Sequence, residues 1–207
     1  FGNQDGAGRW YSAQTLNRLA SVSKAVAGVL LYRLAEDNQI DPQALTADYI
    51  PDLPPHHTHT LAQLTSNRGG VGHYDEHGLG TLYTQYDTAL DASSLFWDDP
   101  LQSTPGSAYL YSTHGYTLLG AAVEGATGQP VAEVLDEVLG SGLGLPDLQV
   151  EDRSVENEFR SEIFNNDNTV ATADNISWKV LGGGMECSVE DMALFCKKLM
   201  SGEILSP

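Results

Sequence analysis

The stretch from Leu19 to Leu31, LASVSKAVAGVLL, constrains this chain most, because it sets a hydroxyl and an amine three residues apart at the mouth of an apolar helix. With a helix starting near Ser21, Ser21 and Lys24 lie on one face about a turn apart. A serine hydroxyl is a poor nucleophile until a neighbour takes its proton. A lysine can do so only when burial or nearby cations draw its pKa toward neutrality. The flanking Val, Ala and Leu residues supply that burial. Ser23 falls in the same stretch, but no lysine lies three residues beyond it, so Ser21 is the nucleophile candidate. Val22, Val26, Val29, Leu30 and Leu34 carry helical spacing to about Asn38, and the polar run through Asp41 and Pro42 ends it. Alone, S-x-x-K equally describes a capped core helix with a lysine reaching out to solvent, so other segments must decide.

Residues 1–10 are rich in Gly, Asn and Asp and read as the tail of a strand entering a loop. Pro51, Pro54 and Pro55 bar regular structure after residue 44. His56-His57-Thr58-His59 invites a metal reading, yet no nearby Cys or carboxylate completes a ligand set at the usual spacing. A solvated loop and no metal are expected there. Thr60 is placed to cap a short helix to Ser66, ahead of a Gly-rich turn over 68–72, and one or two short helices are expected within 83–97. Gly115 to Ala126 is an apolar helix closed by Thr127-Gly128, and Pro130 opens the next, which runs to about Leu139. From Gln149 to Trp178 the chain is polar and Asn-rich. Gly182-Gly183-Gly184 then gives way to a last helix from Ser188 to Met200, with Ser188 as N-cap and Asp191 completing a capping-box-like pair.

Ten basic against twenty-eight acidic residues among 207 give a net charge of −18, which repels nucleic acid and anionic membrane surfaces, so neither is expected as a partner. An apolar fraction of 41% and a charged fraction of 18% suit a folded domain with a sizeable core. No stretch approaches the roughly 18 apolar residues of a membrane span, and Phe1 does not open a basic, apolar leader. Cys187 and Cys196 would stand about 13 Å apart along a shared helix, out of disulfide reach. Both are expected free and buried.

The segment from Tyr109 to Gly120, YLYSTHGYTLLG, puts two tyrosines just ahead of a helix. S-x-x-K, then Tyr-Ser-x with Gly-Tyr-x-Leu-Leu-Gly some ninety residues on, then a Gly-Gly-Gly turn before an acid-capped helix, together resemble the serine β-lactamase and penicillin-binding protein superfamily. The similarity is strongest to the class C β-lactamase-related serine hydrolases, a branch with esterases, D-amino-acid peptidases and mitochondrial LACTB-like proteins. It spans nearly all of residues 1–207. The resemblance implies an α/β fold of the β-lactamase/transpeptidase type, here mainly its helical region with few sheet strands. It makes 1–207 a single domain, incomplete at both ends: 1–20 strand tail and loop, 21–145 helical region, 146–207 polar excursion and final helix.

The same resemblance makes Ser21 the acylated nucleophile, Lys24 its base partner and Tyr111 the phenol that shuttles a proton to the leaving group. It places Thr113, Ser112 and Asn67 at the substrate, and Glu156 to Asn175 along the pocket wall. No metal and no organic cofactor is implied. Relatives often carry Asn where Thr113 stands, a departure that weakens β-lactam hydrolysis more than hydrolysis in general, and they usually read His-x-Ser-Gly where this chain has Asn67-Arg68-Gly69-Gly70, which changes the hydrogen bonding expected of that loop. A third motif, a Lys-Thr-Gly or His-x-Gly strand that also gives an oxyanion amide, is missing from 1–207. Further chain beyond Pro207 is therefore expected to carry it, and 1–207 alone is expected to be catalytically incompetent. The implied function is a serine hydrolase that cuts an ester, amide, peptide or β-lactam bond of a small-molecule or peptide substrate, with secretion or a periplasmic site favoured. The alternative is an inactive, penicillin-binding-like or filament-forming relative, and homo-oligomers fit either reading.

Overall fold

The computed structural model describes residues 2–74, 84–172 and 174–206. Its centre is a helix, His114–Thr127, in which every residue from His114 to Val123 is buried. We number the α-helices in chain order: α1 Ser23–Glu36, α2 Leu61–Thr65, α3 Ala89–Ser93, α4 His114–Thr127, α5 Val131–Val138, α6 Val180–Gly183 and α7 Val189–Met200. A helix apolar on all sides must be covered on all sides, and α1, α2, α3, α5 and α6 all pack against α4. Small residues let them come close. A Cβ on Gly125 would lie 1.8 Å from the Tyr49 carbonyl oxygen, so the loop crosses where only glycine fits. One residue earlier, the Glu124 carboxylate accepts from the Ala89 and Leu90 amides at 2.8 and 2.9 Å and from the Val131 amide at 3.1 Å. A single acid thus satisfies donors at the starts of both α3 and α5.

Three short strands, β1 Asn17–Arg18, β2 Gln149–Val150 and β3 Met185–Cys187, form an antiparallel sheet in the order β1-β3-β2. Glu186 lies opposite both Arg18 and Gln149. Its buried carboxylate takes two 2.7 Å hydrogen bonds from the Arg160 guanidinium. Glu151, equally buried, accepts from Arg18 at 2.8 and 2.6 Å and from Arg153 at 2.5 Å. Arg18 also meets Asp174 at 2.8 Å. The polar stretch after residue 149 is therefore pinned by arginines, and it runs along the N-terminal segment: Leu16 N–H donates to Phe159 O at 2.8 Å, and Gln4 Nε2 to Glu158 O at 2.7 Å.

Most helices fall where the pattern puts them, with Thr60 capping α2, Gly128 in the left-handed conformation after α4, and Pro130 at the cap of α5. Four expectations need correction. The α-helix begins at Ser23, two residues after Ser21, because Ala20–Val22 form a 3-10 turn. Ser188 caps α7 through the Asp191 amide, but the Asp191 carboxylate accepts from Asp147 N–H at 2.8 Å and so anchors a neighbouring loop. Cys187 is buried on β3 while Cys196 is exposed on α7, since the last helix turns that position outward. The histidine loop is not solvated. His57 and His59 are buried and share a hydrogen bond of 3.0 Å, with Thr46 Oγ1 at 2.8 Å on one end and Trp97 O at 2.7 Å on the other. Among the described residues no group of His, Cys, Asp and Glu could hold a metal ion, and no helix is long and apolar enough to cross a membrane.

Candidate active site

The 3-10 turn matters because side chains three residues apart eclipse in that geometry, so Ser21 and Lys24 line up where the turn passes into α1. Ala20, just before, takes a left-handed φ of +47°, a conformation that costs an alanine about 1–3 kcal/mol and that surrounding structure must hold in place. Ser23 faces the other way. It is buried, and its hydroxyl accepts from Met185 N–H at 3.3 Å, tying α1 to β3.

Lys24 is buried at the apolar end of α1, and its Nζ has three oxygens around it: Gly182 O at 2.5 Å, Thr113 Oγ1 at 3.1 Å and Ser21 Oγ at 3.4 Å. Three acceptors match the three N–H donors of an ammonium. The Nζ also lies 4.7 Å from the centre of the Tyr111 ring and 5.4 Å from that of Tyr116. Burial holds the Lys24 amine below its ordinary value, with Tyr111 pulling the other way.

Ser21 is exposed, and its Oγ stands 2.5 Å from the Tyr111 hydroxyl. Burial pushes the Tyr111 phenol up, but the Lys24 ammonium and the Ser21 hydroxyl outweigh it and hold the phenol below its usual value. Tyr116 behaves oppositely. Its hydroxyl donates to Thr65 O at 2.5 Å, and burial, with the phenols of Tyr111 and Tyr109 nearby, pushes it up to about 12. Of the two tyrosines beside Lys24, Tyr111 is the one whose phenol is held down and whose hydroxyl reaches Ser21.

Thr113, Ser112 and Asn67 lie in one hydrogen-bonded loop pair. Asn67, at a left-handed φ of +55°, accepts from Ser112 N–H at 3.0 Å through its side chain and from Leu110 N–H at 2.8 Å through its carbonyl. The buried Ser112 hydroxyl donates to Gly72 O at 2.8 Å and accepts from Gly115 N–H at 2.9 Å, which occupies it in holding the start of α4. Thr113, also buried, turns its hydroxyl to Lys24.

Two groups escaped the sequence reading. The Gly182 carbonyl holds Lys24, and a Cβ on Gly182 would lie 2.7 Å from Thr113 Cγ2, so only glycine lets α6 come this close. The Gly-Gly-Gly run was the available signal. His73 accepts from Thr113 N–H at 3.2 Å through Nδ1, and its ring meets the Tyr111 ring edge-on at 5.3 Å. A lone histidine in a Gly-rich turn carries no comparable signal.

With this arrangement in view, comparison with known proteins is informative. The sequence pattern of the Beta-lactamase family matches residues 2–207. The chain belongs to the Beta-lactamase family. Within it, the chain is 30% identical over 157 residues to Esterase EstB of Burkholderia gladioli, covering 68% of this chain and 40% of the esterase. It is 23% identical over 261 aligned positions to the human mitochondrial serine beta-lactamase-like protein LACTB, covering 91% of this chain and 48% of that protein. The chain thus spans less than half the length of these relatives. The D-amino acid amidase of Ochrobactrum anthropi SV3 superposes with a TM-score of 0.85 at 22% identity, over 100% of this chain and 61% of the amidase. The β-lactamase/transpeptidase-like fold, mainly its helical region, is as the motifs led one to expect.

Proposed function

We propose that this chain carries the acylation site of a serine hydrolase, with Ser21 as nucleophile, Tyr111 as proton carrier and Lys24 as the charge that tunes it. The observation that supports the reading best is the 2.5 Å approach of Ser21 Oγ to the Tyr111 hydroxyl beside the buried Lys24. Because Tyr111 stands nearer Ser21 than Lys24 does, we assign the proton transfer to the phenolate of Tyr111. Lys24 remains an ammonium, held by Gly182 and Thr113, that stabilises the phenolate.

In the first step Ser21 Oγ bonds to the substrate carbonyl carbon as its proton passes to Tyr111, and the carbonyl π electrons move onto oxygen. Collapse of that oxyanion breaks the bond to the leaving group, which takes the proton back from Tyr111. Water then attacks the acyl-Ser21 carbonyl, its proton again going to Tyr111, and release of the acid returns that proton to Ser21. Among ester, amide and β-lactam we favour an ester, on the ground that Thr113, which accepts from Lys24, stands where many relatives carry an amide-binding Asn. Esterase EstB, named for that chemistry, is among the relatives. Thr113 we read as a residue at the substrate's edge, with Ser112 and Asn67 holding the loop that carries it. No metal or organic cofactor enters these steps, and the stretch from Glu156 to Asn175 is proposed to border the substrate.

The competing reading, a relative that keeps the pocket for binding or assembly, also draws on Thr113. Ester hydrolysis by the full-length protein separates the two. Tyr111→Phe keeps the ring and removes the proton carrier, so kcat and kcat/KM should fall together by ~10²–10⁴-fold. A change confined to KM would make Tyr111 a substrate contact only, and absence of turnover in the wild type would favour the binding protein.

A further inference from the structure

The loop of residues 67–73 touches the segment before α4 at successive points: Asn67 Oδ1 on Ser112 N–H, Gly72 O on the Ser112 hydroxyl, and His73 Nδ1 on Thr113 N–H at 3.2 Å. The last contact differs from the others in reaching the reacting group as well, since the His73 ring also lies edge-on to Tyr111 at 5.3 Å. A backbone N–H can only donate, so Nδ1 must offer its lone pair and the proton of the neutral ring sits on Nε2. The His73 ring also meets that of Tyr74, with ring centres 4.3 Å apart.

We infer that His73 is a positioning residue, which fixes the backbone of Thr113 and the ring of Tyr111 so that the Tyr111 hydroxyl meets Ser21 and the Thr113 hydroxyl meets Lys24. The kinetic consequence rests on the hydrolase reading; the geometric one does not. Thr113 sits two residues after Tyr111, and the amide that His73 holds is the last before α4 begins. With Leu110 and Ser112 still held by Asn67 and Gly72, release of the Thr113 amide and loss of the His73 ring contact remove the anchors nearest the phenol, which lets it shift from Ser21. Misplacement of a reacting group by about 1 Å typically costs ~10²-fold in rate.

Two substitutions separate the acceptor from the ring. His73→Phe keeps an aromatic ring against Tyr111 and removes the acceptor, whereas His73→Asn places Oδ1 close to where Nδ1 was and removes the ring. In ester hydrolysis by the full-length protein, His73→Phe should lower kcat by roughly 10- to 100-fold with little change in KM, and His73→Asn should recover most of that loss. NMR titration of Tyr111 in 13C-tyrosine-labelled protein gives a second readout that needs no turnover. The phenol should titrate higher in His73→Phe, away from Lys24 and Ser21, and as in wild type in His73→Asn. The inference is overturned by wild-type kcat and titration in His73→Phe, or by His73→Asn falling as far as His73→Phe, which would show that restoring the acceptor does not restore the position of Tyr111. A wild type without turnover would refute the hydrolase reading, and the titration would then decide the part of His73.

Discussion

Around α4 the buried side chains are mostly hydrocarbon, while the three-stranded corner also buries the carboxylates of Glu151 and Glu186. The two regions meet at the candidate site, where the 3-10 turn brings Ser21 and α1 brings Lys24 from the apolar side and β1, just ahead of them, holds Arg18 in the ionic corner. Burial of hydrocarbon is non-directional and tolerates small shifts. A buried ion pair is directional, and loss of one partner strands the other. The helical region should therefore respond to changes of volume, and the corner to changes of charge.

The largest effect should come from the corner. Glu186→Ala leaves the Arg160 guanidinium, which has only 10% of its side chain exposed, without its partner, and should cost about 3–5 kcal/mol in denaturant unfolding. Replacing Arg160 and Glu186 together by Met and Leu should restore most of that loss; a double variant as unstable as the single one would show that the corner needs the charges themselves. In the helical region, Leu119→Ala removes a side chain with 0% exposure and should cost about 2–5 kcal/mol. Added salt should leave that cost unchanged.

Acid sharpens the comparison further. Burial, reinforced by neighbouring His57, pushes His59 down to about 3 from its ordinary 6.5. The unfolded chain thus takes up the proton first, and stability present above pH 6.5 is lost as pH falls from there toward 3. Burial raises Glu151, but Arg18 and Arg153 outweigh it and hold the carboxyl below its ordinary 4.5, so its contribution persists above that value and fades only below it. The histidine loop packed on the helices should fail before the ionic corner does. In His59→Gln, unfolding followed from pH 7 downward should lose the first limb, worth roughly a few kcal/mol, and keep the second. The smallest effect belongs to the exposed Arg33 and Asp37 pair on α1, where Asp37→Asn should cost about 0.3–0.5 kcal/mol.

The same contrast explains what the sequence could and could not disclose. The helices α1, α2, α4, α5 and α7 could be read from periodic apolar residues and from Thr60, Gly128, Pro130 and Ser188 at the ends of α2, α4, α5 and α7, because those signals are local. Arg18 and Glu151 stand 133 residues apart in the chain and Arg160 and Glu186 stand 26 apart, and nothing in the order of residues announces such pairs. The histidine loop misled for the same reason. His57 and His59 satisfy each other, Thr46 and Trp97 once buried, and a polar tripeptide read alone suggests solvent. At the site, Ser21 and Lys24 were suggested by the S-x-x-K spacing and Tyr111 by the resemblance its segment carries, and the three side chains do meet in the fold. Gly182 acts through a carbonyl that every residue has, and His73 through a backbone amide 40 residues away.

The most direct test of the acylation site is intact and peptide mass spectrometry of the full-length protein after exposure to a fluorophosphonate and, in parallel, to a fluorescent penicillin. A single adduct on Ser21 that disappears in Ser21→Ala is the expected result for at least the fluorophosphonate. An adduct on another residue, or labelling that persists in Ser21→Ala, would contradict the assignment of Ser21 as nucleophile.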